Sequence, residues 1–513
     1  MSSGRDILQS VAQRMAMLGG EGVPVVHSAP GRLDVIGGLS CEAGGVVGQM
    51  ALPRRAAVGV QARTDGQLIF IGTGFRAGGV KAGEPATESI VRFPADDLFP
   101  LSGRPLPEPH YLMGRIGPEG WWTLPYVGLF YLLSREGIYQ TAATGPADSP
   151  APRGAAVVVD SEIAIFAGQG SSTAVTAALL QAVVRLFGFN LSTVEKAVLI
   201  HRAESLFGPS GGHVVDALTV LCAADGPPAH LLRYSAQPHN LIGQIPLPAD
   251  VRVFALNTGK PAMRSSETAR SLRLAGDMGL RIMETVYRDL GRESSPLNGY
   301  LGNMSPELYR RYFRSLLPRR LRGRDFLRSY GELPQEGGPV APGELYRVRA
   351  AVDHLISERE HAENFLQVME DLAELPEAGR SVERLENQQR RRTLQRAGRL
   401  LLASQHSYRL RLGLSCPQAD WLLSRLIDAG PAAGVFGARI TASGGGGTVA
   451  AMLDNSNRAT DALLQIVSDY PREMGLPLEI QAAGAAGSAG ATWSGNEPLP
   501  LDHVVGPAAR SQL

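Results

Sequence analysis

The feature that most constrains this chain is the segment Gly168-Gln169-Gly170-Ser171-Ser172-Thr173, set between an apolar, β-branched run and a long apolar helix pattern. Glycines let a backbone approach a neighbour or an anion closely, and a helix start offers unpaired N–H groups and a positive dipole end. Ser171, Ser172 and Thr173 add hydroxyls that could face a phosphate or a phosphate-bound Mg²⁺. The same residues also suit an ordinary helix start in a Gly/Ser turn. A second glycine run, Ala442-Ser443-Gly444-Gly445-Gly446-Gly447-Thr448, joins two strand-like segments. It reads either as a flexible turn or as a close backbone approach.

Composition narrows the ways such loops could bind phosphate. The only lysines are Lys81, Lys196 and Lys260, and none is followed by Ser or Thr. That excludes the G-x-x-x-x-G-K-[ST] loop. The protein-kinase signatures are missing too, since His201-Arg202 is followed by Ala203. There is no G-x-G-x-x-G after a first strand, and no paired Cys/His spacing for zinc. Phosphate binding would fall to backbone amides, hydroxyls and arginine. Gly208-Pro209-Ser210-Gly211-Gly212 matches the G-x-S-x-G of hydrolases, but a helix precedes it where that turn needs a strand.

The 513 residues exceed what one core usually serves, so two domains are expected. The Pro-rich IPLPAD stretch marks the boundary, giving domains 1–245 and 246–500 and a tail 501–513. A net charge of +1 offers no bulk attraction to nucleic acid or anionic membrane. Cys41, Cys222 and Cys416 are far apart, which fits a reducing cytoplasm. The opening residues lack the apolar core of a signal peptide. The uncharged stretch Ile163–Val184 is interrupted by the glycine loop, so no membrane span is expected. Residues 24–63 and 67–95 read as strands with turns, 155–166 as strands, and 173–188 and 193–207 as helices. Residues 250–259 read as a strand, 344–411 as strongly helical, and 434–453 as strand, glycine turn, strand.

Three segments in order, SAPGRLDVIGG (28–38), the GQGSST loop and ITASGGGGTV (440–449), resemble the three signature motifs of the GHMP kinases. The likeness is greatest to the galactokinases and the kinase portion of L-arabinokinases, and runs from residue 25 to about 495. It implies an α+β, two-domain fold: a ribosomal-S5-like N-terminal domain that binds ATP and a ferredoxin-like C-terminal domain. It also implies a sugar 1-kinase using ATP and Mg²⁺ on an L-arabinose- or galactose-like acceptor. Carried over residue by residue, Gly168, Gly170, Ser171, Ser172 and Thr173 wrap the triphosphate. Ser172 and Glu204 hold Mg²⁺. Asp216, at the end of AESLFGPSGGHVVD (203–216), is the base, with Arg32 beside it. Gly38, Cys41, Glu42, Arg273, Gly444 and Gly445 face the acceptor. For Arg32 with Asp216, a structural ion pair is the competing reading; for Glu204, a solvated helix face; for His213, a satisfied turn histidine.

The chain departs from the family pattern at the sugar pocket. Cys41-Glu42 stands where Asp-Tyr is expected, and Pro261-Ala262-Met263 and Ala269 replace Arg-His-Ser and Tyr. Ala164 and Phe166 replace Pro and Gly in the phosphate loop, Ala442-Ser443 stands for Gly-Gly, and Ala217 for Gln. A site that loses hydroxyl partners binds its former ligand weakly. The departures leave two readings, a kinase for an altered acceptor or a nucleotide- or sugar-binding protein without turnover.

Overall fold

A computed structural model describes residues 4–18, 23–73, 88–98, 106–136, 154–207, 212–223, 229–262, 265–292, 294–334, 338–375, 384–442, 444–445, 447–484 and 492–494. The first sheet holds β1 (Val25–Ile36), β2 (Val46–Arg63), β3 (Gln67–Thr73), β4 (Glu88–Pro94), β5 (Gly154–Ser161), β6 (His230–Ala236) and β7 (His239–Pro246). The second holds β8 (Val251–Asn257), β11 (Val435–Ile440), β12 (Thr448–Asp454) and β13 (Glu479–Ala482) in the order β11-β12-β8-β13. A short ladder pairs β9 (Leu321–Arg322) with β10 (Leu345–Tyr346). β14 (Thr492–Ser494) returns to the first sheet and pairs with Val25–His27 of β1.

The first sheet is buried on both faces, and alternation assigns the residues. Val58, Val60, Val157 and Val159 face a core built with the Leu124–Arg135 and Ser171–Phe187 helices. Ala57 and Val158, one residue out of phase, face Val11 and Met15 of the Gly4–Met17 helix. A further core joins the sheets: Leu33, Val35, Met50 and Leu52 pack with Phe365, Leu366 and Met369 of the Val348–Glu374 helix and with Phe436 and Met452 of the second sheet.

Where sequence suggested short strands broken by turns, β1 and β2 are long and continuous. Their glycines and prolines mark irregularities in the ladder. The register shifts between Pro30 and Arg32 and again between Asp34 and Ile36. Such bulges re-aim side chains, and here they sit at the two charged residues of the strand. Proline has no ladder donor to lose at such a point. The expected strand over 155–166 ends at Ser161, because Ile163 N bonds the Ser161 hydroxyl and Phe166 adopts φ 58°.

Candidate active site

Three segments converge on Asp216. The bulge in β1 turns the Arg32 backbone out of the ladder, and its N–H donates to Gln169 O at 2.9 Å. Gly31 makes this approach possible, since a Cβ there would lie 3.1 Å from that oxygen. The Arg32 side chain runs to Asp216, with Nη2 3.0 Å from Oδ2 and Nε 2.9 Å from Oδ1. Its Nη1 donates to Gly168 O at 3.0 Å. One guanidinium therefore spans the acidic residue and the glycine loop. Asp216 is further held by the Gln49 amide on Oδ1 at 2.7 Å and by the His213 N–H on Oδ2 at 2.9 Å. Gln49 is fixed in turn by the Thr219 hydroxyl, which donates to its Oε1 at 2.6 Å.

Burial alone would raise the Asp216 carboxyl, but Arg32 outweighs it and the group lies below its ordinary value. Asp216 is a carboxylate at neutral pH, with its lone pairs oriented by three hydrogen-bond donors. Arg32 and Asp216 form a buried ion pair, as the reading of a structural brace requires. It differs from a plain brace in that Arg32 also grips the backbone of the phosphate-type loop.

That loop is built as a cradle. Gly168 and Gly170 take φ 74° and 73°, a left-handed conformation that suits glycine. Gly170 caps the Ser171–Phe187 helix, whose first-turn N–H groups have no intrahelical partner. Thr173 and Ser172 point their hydroxyls at Glu204: Thr173 Oγ1 donates to both carboxylate oxygens at 3.1 and 3.2 Å, and Ser172 bonds the same group. Glu204 is half-buried on the Thr193–Ser205 helix, not on a solvated face. Burial pushes its carboxyl up to about 7, against those two hydroxyls.

A desolvated carboxylate beside two hydroxyls is a hard-oxygen donor set, deficient in positive charge, and it fits Mg²⁺ shared with a nucleotide phosphate. Among the described residues no group of three or more His, Cys, Asp or Glu forms a protein-only cage.

The third glycine segment braces the loop. Thr448 Oγ1 donates to Ala167 O at 2.8 Å and accepts from Gln169 Nε2 at 3.0 Å. A Cβ on Gly447 would stand 2.4 Å from Ala167 O, so the close approach has an identified partner in the first loop. Gly445 N donates to Leu414 O, and Gly444 lies against Tyr408 and Leu414. Ser443, Gly446 and Ser210 lie outside the described residues. Phe166, which stands at a glycine position of the resembled motif, keeps a positive φ of 58°. Its ring stacks on Trp121 at 5.8 Å, and the residue is 44% exposed beside the loop.

The acceptor-side residues divide. Cys41 is buried, its thiol bonded to Gly38 O at 2.8 Å and held well above the ordinary thiol range by burial. Glu42, one position on, carries the polar wall: its oxygens lie 3.5 Å from His213 Nε2 and 3.7 Å from Arg273 Nε. Burial pushes Glu42 up to about 7 against the pull of Arg273. It lowers His213 to about 4, so that imidazole is neutral. Glu42, Arg273 and Asp277 share a small cavity wall. Met263 and Ala269 side chains lie outside the described residues.

Residues 135–224 match the family description "GHMP kinases N terminal domain", and residues 361–472 match "GHMP kinases C terminal". The chain carries both GHMP kinase domains. The chain is 24% identical over 499 residues to the L-arabinokinase of Arabidopsis thaliana, covering 88% of the chain and 45% of that protein. The chain thus spans under half the length of the plant relative. It is 23% identical over 363 residues to the galactokinase of Pyrococcus furiosus, covering 70% of the chain and 78% of the relative. The galactokinase of Lactococcus lactis, solved with galactose, shares the fold with a TM-score of 0.65 at 17% identity, over 94% of this chain and 99% of that one. The two-domain α+β expectation holds. No helix among the described residues is long and apolar enough to cross a membrane.

Sequence reasoning did not single out Gln49 or Thr219, which orient Asp216, or the buried group Asp34, Arg439 and Glu358. Arg439 is fully buried, 3.2 Å from Asp34 Oδ2 and 3.7 Å from Glu358 Oε1, with its guanidinium carbon 4.9 Å from the Tyr408 ring centre. Asp34 also accepts from the N–H groups of Gly38 and Ala442, and Glu358 from Gly37 N and the Ser404 hydroxyl. Tyr408 donates to Ala442 O and accepts from Leu39 N, each at 3.0 Å. This network fastens the 37–39 turn and the 441–442 turn together.

Proposed function

We propose that this GHMP kinase transfers the γ-phosphoryl group of ATP to the anomeric hydroxyl of a pyranose of the L-arabinose or galactose kind. The observation that carries this is the Arg32 bridge between Asp216 and Gly168 O, which sets a carboxylate and a phosphate-type loop side by side. Phosphoryl transfer rests on positioning and charge neutralisation more than on strong base catalysis. The acceptor oxygen forms a bond to the γ-phosphorus as the bond to ADP breaks, and its proton passes to Asp216 late in the step. Arg32 keeps Asp216 ionised until then. Ser171, Ser172 and the helix N–H groups meet the phosphates. Ser172, Thr173 and Glu204 are the residues that would hold Mg²⁺, which supplies positive charge between the phosphates. The exposed Phe166 face, stacked on Trp121, suits a nucleobase. Glu42, supported by His213 and Arg273, takes the acceptor-side role that Cys41 cannot fill. A cytoplasmic location accords with its free cysteines.

The altered acceptor wall favours one alternative, a nucleotide- or sugar-binding protein without turnover. Purified protein incubated with ATP, Mg²⁺ and a panel of pentoses and hexoses separates the two. ADP release with one sugar, and a phosphorus resonance coupled to its anomeric proton, is the expected result. Nucleotide binding by a folded protein with no ADP above background for any sugar would sink the kinase reading.

A further inference from the structure

Outside the cleft, a cavity of about 380 Å³ opens beside the Val348–Glu374 helix. Arg310, Arg314, Arg411, Asp353, Tyr309 and Ser357 line it. Besides that helix, its walls include residues of two π-helical turns, Tyr309–Phe313 and Ser407–Leu412. π-turns are rare and recur at functional sites because they shift side chains out of the helical raster. Here one presents Tyr309 and Arg310 and the other presents Arg411 to the same space.

The three guanidiniums are held differently. Arg314 makes a paired contact with Asp353, at 2.8 and 2.9 Å, and Tyr309 donates to the same carboxylate at 2.8 Å. Arg310 touches Glu307 and Glu360 at 3.2 Å each, in exposed ion pairs of the kind that contribute little and rearrange readily. Arg411 meets no carboxylate among the described residues. Its Nη1 donates to Ser357 Oγ at 2.8 Å, Asp353 O at 3.3 Å and Ser407 Oγ at 3.4 Å. The lining residues carry three guanidiniums and one carboxylate, with Glu307 and Glu360 on Arg310 from outside the lining, so the guanidinium free of a carboxylate among the described residues is Arg411, and Arg310 can join it by exchanging its exposed partners for an anion. Guanidinium forks match phosphate oxygens in geometry, and a concave space of this size suits a small molecule better than a polymer or a membrane surface.

We propose that this cavity binds a small phosphate-bearing molecule, either the inorganic ion or a phosphate monoester. The site shares a π-turn with the cleft. Ser407 holds His354 Nδ1 at 2.9 Å and receives Arg411, while the next residue, Tyr408, reaches Leu39 and Ala442. An anion on Arg411 thus meets a side chain whose partner, Ser407, is the residue before Tyr408.

Calorimetric titration with inorganic phosphate, glycerol phosphate and neutral glycerol tests this, on the wild type and on Arg310→Gln, Arg411→Gln and Ser172→Ala. The expected result is binding of glycerol phosphate or phosphate but not glycerol, weakened about tenfold or more by Arg411→Gln and Arg310→Gln and unchanged by Ser172→Ala. Tighter binding of the ester assigns a phosphorylated metabolite, and equal binding assigns the inorganic ion. Affinity equal in wild type and both arginine variants would overturn the proposal. So would loss in Ser172→Ala alone, which would place the anion in the cleft, or no binding at millimolar concentration. Arg310 lies in surface pairs, so its variant keeps the test readable if Arg411→Gln alters folding. Kinase turnover is read separately and does not enter the outcome.

Discussion

Two buried ion clusters in this protein use the same side chains for different ends. Around Asp216, one carboxylate faces one guanidinium, and the guanidinium also grips the glycine loop. Around Arg439, two carboxylates from distant segments share one fully buried guanidinium capped by the Tyr408 ring. Burial raises both Asp34 and Glu358. His361 and Arg439 reverse that at Glu358 and take it down to about 2, whereas Asp34 stays above its ordinary value. The comparison teaches that burial and pairing alone do not distinguish a working carboxylate from a brace. What sets Asp216 apart, as the candidate working group, is its neighbourhood: the glycine loop gripped by the same arginine, and the polar pair of His213 and Glu42 beside it.

The sharpest way to break the comparison is to change one member of each cluster. Asp216→Asn keeps the shape and an acceptor for Gln49, so we expect turnover to fall by about 100-fold or more with nucleotide affinity retained. Steady-state kinetics beside nucleotide titration checks this. Arg439→Met leaves Asp34 and Glu358 buried without their cation, and should lower stability by about 3–5 kcal/mol. Denaturant unfolding measures it. If Arg439→Met cut turnover in a fully folded protein as deeply as Asp216→Asn, the division into site and brace would fail.

The next effect concerns Glu204. Its carboxyl lies near 7 in the folded protein against an ordinary 4.5, so the folded state binds its proton more tightly than the unfolded state. Ligand-free stability therefore falls as pH rises from 4.5 toward about 7 and is level above that. Glu42 adds a slope in the same window. Glu204→Gln should remove its share, about 3 kcal/mol at most, and abolish the gain in Mg²⁺-dependent nucleotide affinity as pH rises through the same window. Thermal unfolding and nucleotide titration across pH test both. The smallest effect is at Phe166. Replacing it by Gly relieves a left-handed backbone but removes the stack on Trp121, so net stability should change by less than about 1 kcal/mol. Nucleotide affinity should fall if the ring meets the base.

Much of the site was legible because its parts are local. The glycine loop, Ser172 and Glu204 follow one another through short segments of helix and turn, and Arg32 and Asp216 sit in motifs with fixed neighbours. The brace was not legible, because Asp34 and Arg439 stand 405 positions apart and neither carries a pattern that names the other. Gln49 was equally silent: a glutamine in a long strand gains meaning only when the bulge and the Val214–Cys222 helix bring it to Asp216. Glu42 was named, but its ascendancy over Cys41 came from the tight turn at 38–43, which points the thiol back at Gly38. The continuous strands hid behind their own irregularities, since Pro and Gly at a bulge look the same in sequence as Pro and Gly at a turn.

The pairing of β14 with the start of β1 has a consequence for how the chain comes off a ribosome. The strand that carries Arg32 and Asp34 is made among the first forty residues, yet its outer neighbour is residues 492–494. One flank of that strand therefore stays unclaimed through almost the whole of synthesis. During that interval it is an open template for any other extended chain nearby. Maturation of this protein is a race between the arrival of three late residues and capture of an early strand by the wrong partner.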